Sequence, residues 1–210
     1  MSEAVAARPT ASAGTGHLFV VSAPSGAGKT TLCNAVRRRF PTLAYSVSAT
    51  TRSPRPGERD GVDYHFISKA DFEAGIRSGE WAEWASVHGN YYGTAATVID
   101  AAIRGGRHIL LDIDVQGAAQ IVARFPDSVT IFIMPPSTAV LRQRLVERGT
   151  DDPAEIAGRL AVAEHEMAQR GRYRHIVVNA ELDAAVAELT ALFERYIGAG
   201  NRPGGEGAAS

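Results

Sequence analysis

Ala23-Pro24-Ser25-Gly26-Ala27-Gly28-Lys29-Thr30 constrains this chain more than any other stretch. It lies between the apolar run Leu18-Phe19-Val20-Val21 and a segment of helical character opening near Gly28. Backbone N–H groups exposed by a glycine-rich turn and backed by a helix N-terminus make an anion site. Lys29 adds a mobile full charge for the outer phosphates of a nucleoside triphosphate, and Thr30 offers a hydroxyl to Mg²⁺. Thr31 belongs to the same set. Ala23 stands where the pattern usually has glycine. Such a string occurs by chance, and the strand before it and helix after it are what give it weight.

Around this loop the apolar pattern alternates between strand and helix. Short continuous apolar runs predict strands over 17–22, 43–48, 108–112, 129–134 and 175–179. Helices are expected over 28–40, 95–104, 117–125, 137–148, 152–170 and 181–197. Their stops and caps are read from Pro41, Gly105, Pro126, Ser137 and Asp152-Pro153. Five such strands alternating with helices imply an α/β fold, a parallel sheet with helices on both faces. Residues 50–94 break that rhythm. They open on an irregular arginine-rich segment, 50–61, followed by a strand (62–67), a helix (69–78) and a second strand (80–87). This is an insert with its own character. No internal repeat is visible.

Composition removes several classes of function. The chain has 210 residues, 45% hydrophobic and 21% charged, enough for one core with an inserted subdomain. A net charge of −1 gives no global attraction to nucleic acid or membrane. No apolar run approaches the roughly 18 residues of a membrane span, and 1–16 holds no apolar segment of a secretory signal. Residues 1–16 and 198–210 read as disordered tails. One cysteine, Cys33, leaves no internal disulfide and suits a reducing, cytoplasmic compartment. The six histidines are scattered, with no metal-ligand spacing. Lysine occurs only at Lys29 and Lys69, so a chain that uses arginine elsewhere keeps a compact ammonium in the loop.

Two further groups of residues carry chemistry. Asp112 ends a strand of the parallel sheet, at the carboxyl edge where ligands bind, and there it can hold Mg²⁺ directly or through water. A helix cap is the plainer reading, and Asp114, two residues on, shares both. In the insert, Arg52, Arg55, Tyr64 and Tyr92 offer guanidiniums and phenols of the kind a metal-free phosphate site uses. Glu58 can orient an arginine by a salt bridge. A solvated basic loop is the competing reading by composition.

In order and spacing, Ser22 to Lys29, Thr50-Thr51-Arg52-Ser53-Pro54-Arg55-Pro56-Gly57-Glu58, Gly61-Val62-Asp63-Tyr64-His65-Phe66, Gly89-Asn90-Tyr91-Tyr92-Gly93-Thr94 and Leu111-Asp112-Ile113-Asp114-Val115-Gln116-Gly117 resemble the guanylate kinases. The resemblance covers 17–197, and the Thr50 to Glu58 stretch is its most specific part. It implies a P-loop kinase fold that transfers the γ-phosphoryl of ATP to GMP, with dGMP as a further acceptor. It divides the chain into a core (17–49, 95–140 and 171–197), a GMP-binding insert (50–94) and a helical lid (141–170). Ser48, Arg52, Arg55, Tyr64 and Tyr92 match positions that hold the GMP phosphate, and Glu83 matches the carboxylate that reads guanine. Glu58, Gly93, Thr94, Asp112 and Asp114 complete the implied GMP site. Arg144, Arg148 and Arg159 match lid and catalytic arginines that act with Lys29 and Arg52, and Asn179 matches a position near the adenine. Mg²⁺, bound with ATP at Thr30 and Asp112, is the implied cofactor.

The chemistry agrees with the resemblance. One carboxylate accepts both the N1–H and the 2-amino group of guanine, while O6 needs a donor such as the Thr94 hydroxyl. Adenine leaves such a site with unpaired groups, worth about 10⁴–10⁵-fold in discrimination. A scaffold module that binds peptides on this fold is one alternative, and a kinase of another phosphorylated acceptor is a second. The partners expected are ATP and GMP, with no nucleic acid and no membrane, in a monomer or a homo-oligomer of cytoplasmic purine metabolism.

Overall fold

The computed structural model describes residues 16–87, 89–147 and 152–199. A central sheet of five parallel strands runs in the order β2-β7-β1-β8-β9, with β1 Leu18–Ser22, β2 Ala44–Tyr45, β7 Ile109–Asp112, β8 Val129–Met134 and β9 His175–Val178. Every strand pairing in it is parallel. β1 is buried along its whole length, as a continuous apolar run in the middle of such a sheet must be. Its residues alternate between two cores. Phe19 and Val21 pack with Leu32, Val36 and Phe193 of α1 (Lys29–Arg39) and α7 (Leu182–Ala199). Leu18 and Val20 face Ile99 and Ile121 of α3 (Ala96–Arg104) and α4 (Val115–Arg124).

A second, four-stranded sheet is built from the insert, in the order β4-β3-β6-β5: β3 Ala49–Thr50, β4 His65–Phe66, β5 Trp81–Val87 and β6 Asn90–Ala95. α2 (Lys69–Ser78) covers it through Phe72, whose ring stacks on Trp81 and Tyr91. α5 (Thr138–Glu147) and α6 (Pro153–Ala168) pack on each other through Leu141, Leu145, Ile156 and Ala163. Asp152 starts α6 with a capping box to Glu155 and Pro153 in the first turn.

Several boundaries differ from the sequence expectation, each for a local reason. The strand expected over 43–48 shrinks to β2 in the main sheet, because the chain then crosses to the second sheet at β3, which begins only at Ala49. The strand expected over 62–67 shrinks to His65–Phe66, because 59–64 is spent in turns held by Asp60 and Asp63 side chains on the Phe66 and Arg59 amides. α4 starts at Val115 rather than at 117, because Asp114 caps it. The helix expected to reach 170 ends at Ala168 and tightens into a 3₁₀ turn, Gln169–Arg172. α7 continues past Gly198, where a tail was expected, to Ala199. The tail expectations otherwise fall on 1–15 and 200–210, outside the described residues, as does Arg148. No helix among the described residues is long and apolar enough to cross a membrane.

Candidate active site

The chain leaves β1 toward β2 on one side of the sheet and leaves β7 toward β8 on the other. The carboxyl ends of β1 and β7 therefore border the crevice where ligands of open α/β sheets bind. Both ends carry site residues. After Ser22 the chain turns through Pro24, whose carbonyl accepts from the Ala27 amide at 3.1 Å. Gly26 and Gly28 both sit at φ 92°, a region that favours glycine. Gly28 ends the loop as the N-cap of α1 without any side-chain cap, so the first amides of that helix stay available to an anion.

Asn179, at the end of β9, locks the loop. Its Nδ2 donates to the Ala27 carbonyl at 2.8 Å, and a Cβ on Gly28 would stand 2.4 Å from that nitrogen. The other amide atom, Oδ1, is buried without a hydrogen-bond partner. Arg144 reaches over from α5 to donate to the Asn179 carbonyl at 3.0 Å. Together Gly26, Gly28, Thr31, Arg144 and Asn179 line a cavity of about 390 Å³.

Lys29 and Asp112 meet at 2.6 Å, and Lys29 Nζ also donates to the Ile113 carbonyl at 3.1 Å. Burial pulls the Lys29 pKa down, but the charge and hydrogen bond of Asp112 outweigh it and leave the ammonium firmly protonated. These two bonds leave one of its three N–H donors for a phosphate oxygen. Asp114 is the helix cap, accepting from the Gly117 amide at 2.7 Å, while Asp112 faces Lys29. Thr30 is exposed at the start of α1. Cys33 is buried beneath the site, its thiol pushed up by burial first and then by Asp112, so it is held as an inert thiol.

On the insert, Arg52 and Glu58 form a two-pronged pair, with Nη1 to Oε2 and Nη2 to Oε1 both at 2.9 Å. Arg52 Nε donates to the Tyr92 hydroxyl at 3.2 Å, and Nη1 also donates to the Ser53 carbonyl at 2.7 Å. Four of its five N–H groups are thereby used, leaving one on Nη2. The Glu58 hydrogen bond, ahead of the opposing effect of burial, raises the Arg52 pKa further. The guanidinium also lies 5.4 Å from the Tyr64 ring centroid, and Tyr64 packs edge-on against Tyr92 at 5.9 Å. Ser48 is half-buried just before β3 and Arg55 is exposed, its amide donating to Glu58 at 2.7 Å. Of the residues the sequence grouped, Arg52, Glu58, Tyr64 and Tyr92 touch one another, with Arg55 tied in by its backbone amide alone.

Glu83 is 4% exposed, and Thr94 beside it is fully buried with its hydroxyl unpartnered. The two face each other across β5 and β6, and the register shifts between Trp81 and Glu83. That bulge puts Ala82 and Glu83 both inside, where strict alternation would expose one of them. Burial pushes the Glu83 carboxyl up to about 7; Thr94 stands close enough to oppose this without completing a side-chain hydrogen bond, and Asp114 adds to it. Gly93 has no room for a side chain: a Cβ would lie 2.9 Å from the Phe72 ring and 3.0 Å from the Glu83 carbonyl. Arg159 is half-buried on α6.

Three residues near the site escaped the sequence reading: Gly117 and Gln120 of α4, and Glu166 of α6. Glu166 is half-buried near the loop, its carboxyl raised to about 7 by burial, with Lys29 and the Ser25 amide opposing. A carboxylate on an amphipathic helix carries no signal of its own.

A glycine loop and lysine at the carboxyl edge of a parallel sheet, faced by an arginine-and-tyrosine cluster on a second sheet, define a P-loop protein of the nucleotide-kinase class. The sequence model of one family, described as guanylate kinase, matches residues 15–196. The chain belongs to the guanylate kinase family. It is 48% identical over 183 residues to the guanylate kinase of Thiobacillus denitrificans, covering 87% of this chain and 88% of that one. With the guanylate kinase of Alkalilimnicola ehrlichii it shares 47% over 178 residues, covering 85% and 88%. The crystal structure of guanylate kinase from Anaplasma phagocytophilum is similar at a TM-score of 0.69 and 30% identity, over 87% of this chain and 86% of that one.

Proposed function

We infer that this chain is an ATP:GMP phosphotransferase, making ADP and GDP, with dGMP as a second acceptor. One observation carries the choice of base. A buried carboxylate, Glu83, stands beside a buried and unpartnered hydroxyl, Thr94, within electrostatic reach of Lys29. Guanine completes that pair, giving N1–H and its amino group to Glu83 and taking a hydrogen bond at O6. Asp114, the cap of α4, lies close enough to bear on the Glu83 carboxyl. On the donor side, the unpartnered Asn179 Oδ1 and the cavity beside Gly28 and Thr31 suit the adenosine of ATP. Arg144 lines that cavity, so we assign it to the donor nucleotide rather than to the transferred group. The division into core, insert 50–94 and lid 141–170 belongs to the same reading, as does a cytoplasmic place in purine metabolism.

The donor set fits a hard divalent cation that brings its own waters and binds mainly to phosphate oxygens. Among the described residues no three His, Cys, Asp or Glu side chains gather to hold a metal, while Thr30 and Asp112 border the loop. Thr30 and Asp112 would hold Mg²⁺ with ATP, and the ion would supply charge neutralisation at the outer phosphates.

The rest is the work of the chain. Residues 23–31 wrap the ATP phosphates, with those loop and first-turn amides that are not already paired donating to them and the remaining Lys29 donor on an outer oxygen. Ser48, Arg52, Arg55, Tyr64 and Tyr92 hold the GMP phosphate in line, and Glu58 fixes the Arg52 fork in one orientation. An anionic phosphate is already a nucleophile, so no strong base is required and alignment dominates. Arg148 and Arg159 of the lid neutralise the charge spread over the moving group, and closure excludes water. A coupled assay with GMP, dGMP, AMP and UMP tests the reading. GMP and dGMP are turned over, and AMP falls short by about 10⁴-fold in kcat/KM. Comparable turnover of AMP or UMP overturns it.

A further inference from the structure

Glu83 does not hold its own position; α4 holds it. Gly117, in the first turn of that helix, lies so close that a Cβ would stand 2.4 Å from Glu83 Oε2 and 3.1 Å from its carboxyl carbon. One turn further along, the Gln120 side chain pairs with the backbone of Trp84, the residue next to Glu83. Its Oε1 accepts from the Trp84 amide at 3.1 Å and its Nε2 donates to the Trp84 carbonyl at 2.7 Å. Nε2 makes a longer contact to the Gln116 carbonyl at 3.4 Å.

β5 is an edge strand of the second sheet, so the outward amide and carbonyl of Trp84 have no neighbouring strand. A carboxamide carries the same donor and acceptor as a peptide group, and Gln120 stands in for the missing strand at that point. The clip falls immediately after the bulge, where the ladder between β5 and β6 is irregular and constrains Glu83 least. The helix that carries Gln120 is capped by Asp114 just after β7 and packs through Ala118 and Ile121 in one core with Ile109 and Leu111 of that strand.

We propose that Gln120, with the gap left by Gly117, is the positioning residue for the base-reading carboxylate: it sets the spacing between α4 and β5, and so where Glu83 meets the acceptor base. The proposal rests on Glu83 reading guanine, and its test separates the two.

The variants are Gln120→Met, of similar size without the amide, Glu83→Gln, and the double substitution. Each is assayed for KM toward GMP and ATP and for preference of GMP over IMP, which lacks the 2-amino group. We expect Gln120→Met to raise KM for GMP and lower that preference by about tenfold, the effect typical of losing an outer-shell partner. KM for ATP stays within about twofold, since the donor loop is untouched. The double variant is no worse than Glu83→Gln alone, because Gln120 acts through Glu83. Equal shifts in both KM values, lost thermal stability with preference intact, or full additivity in the double variant overturns the proposal. If Glu83→Gln itself keeps its GMP preference, the base assignment fails and the positioning role falls with it. If only Gln120→Met keeps its preference, the positioning role alone is wrong. Should Gln120→Met not fold, Gln120→Glu keeps the acceptor to the Trp84 amide and loses the donor, and it shows the same split in smaller measure or the proposal fails.

Discussion

Glu83 occupies a place that disfavours its charge, and two opposite pH dependences follow. Burial holds its carboxyl near 7, against about 4.3 for an unperturbed glutamate. The folded chain thus binds a proton that the unfolded chain releases. Its contribution to stability is full below about pH 4, is lost as pH rises toward 7, and is flat above. Binding runs the other way, because the two guanine donors need an ionised acceptor. KM for GMP should rise about fivefold as pH falls from 7 to 6, the titration of one group near 7, and level off above 8. Glu83→Gln should remove that component and leave only the ionisation of the GMP phosphate itself near pH 6. Steady-state profiles of the two proteins check this, and identical profiles would contradict it.

The turn from β1 into α1 works because of two backbone positions at φ 92°, Gly26 and Gly28. Gly28→Ala strains the loop at that φ and drives a Cβ into Asn179 Nδ2. We expect kcat with ATP to fall about 10²-fold, the effect of displacing reacting groups by an ångström. GMP binding, measured by calorimetry, should be unaffected, and weakened GMP binding would mean that the two halves of the site are not separable as described. At this scale the sequence was unevenly legible. The central strands of the main sheet, β7, β1 and β8, are buried almost throughout, so they appear as continuous apolar runs, and the edge strands β2 and β9 are short apolar runs in the same rhythm. In the second sheet only β5, expected over 80–87 and found at Trp81–Val87, gave a comparable signal. β3 and β4 are two residues each, and the loop between them is held by side-chain to backbone bonds such as the Arg59 amide to Asp63 Oδ2. The bulge that turns Glu83 inward leaves no periodic trace. Nor can composition separate Asp112 from Asp114, since one becomes an ion-pair partner and the other a cap only through what packs opposite them. Gln120 was invisible for a related reason: a glutamine on an amphipathic helix looks like surface until an edge strand is placed beside it.

Across the whole molecule the two sheets divide the labour. The parallel sheet presents the loop, Lys29 and Asp112 at its carboxyl edge, and the mixed sheet presents Arg52, Tyr64, Tyr92 and Glu83. α4 joins them, starting at the Asp114 cap beside the first sheet and ending its clip on β5 of the second. This architecture predicts that donor and acceptor functions can be lost separately. Lys29→Ala tests that most directly, with GMP binding by calorimetry and turnover by coupled assay on the same preparation. The account predicts turnover reduced by at least about 10³-fold, the loss of a charge placed at the transferring phosphates, with GMP affinity within about threefold of the unaltered protein because its site lies on the other sheet. Near-normal turnover in that variant would contradict it.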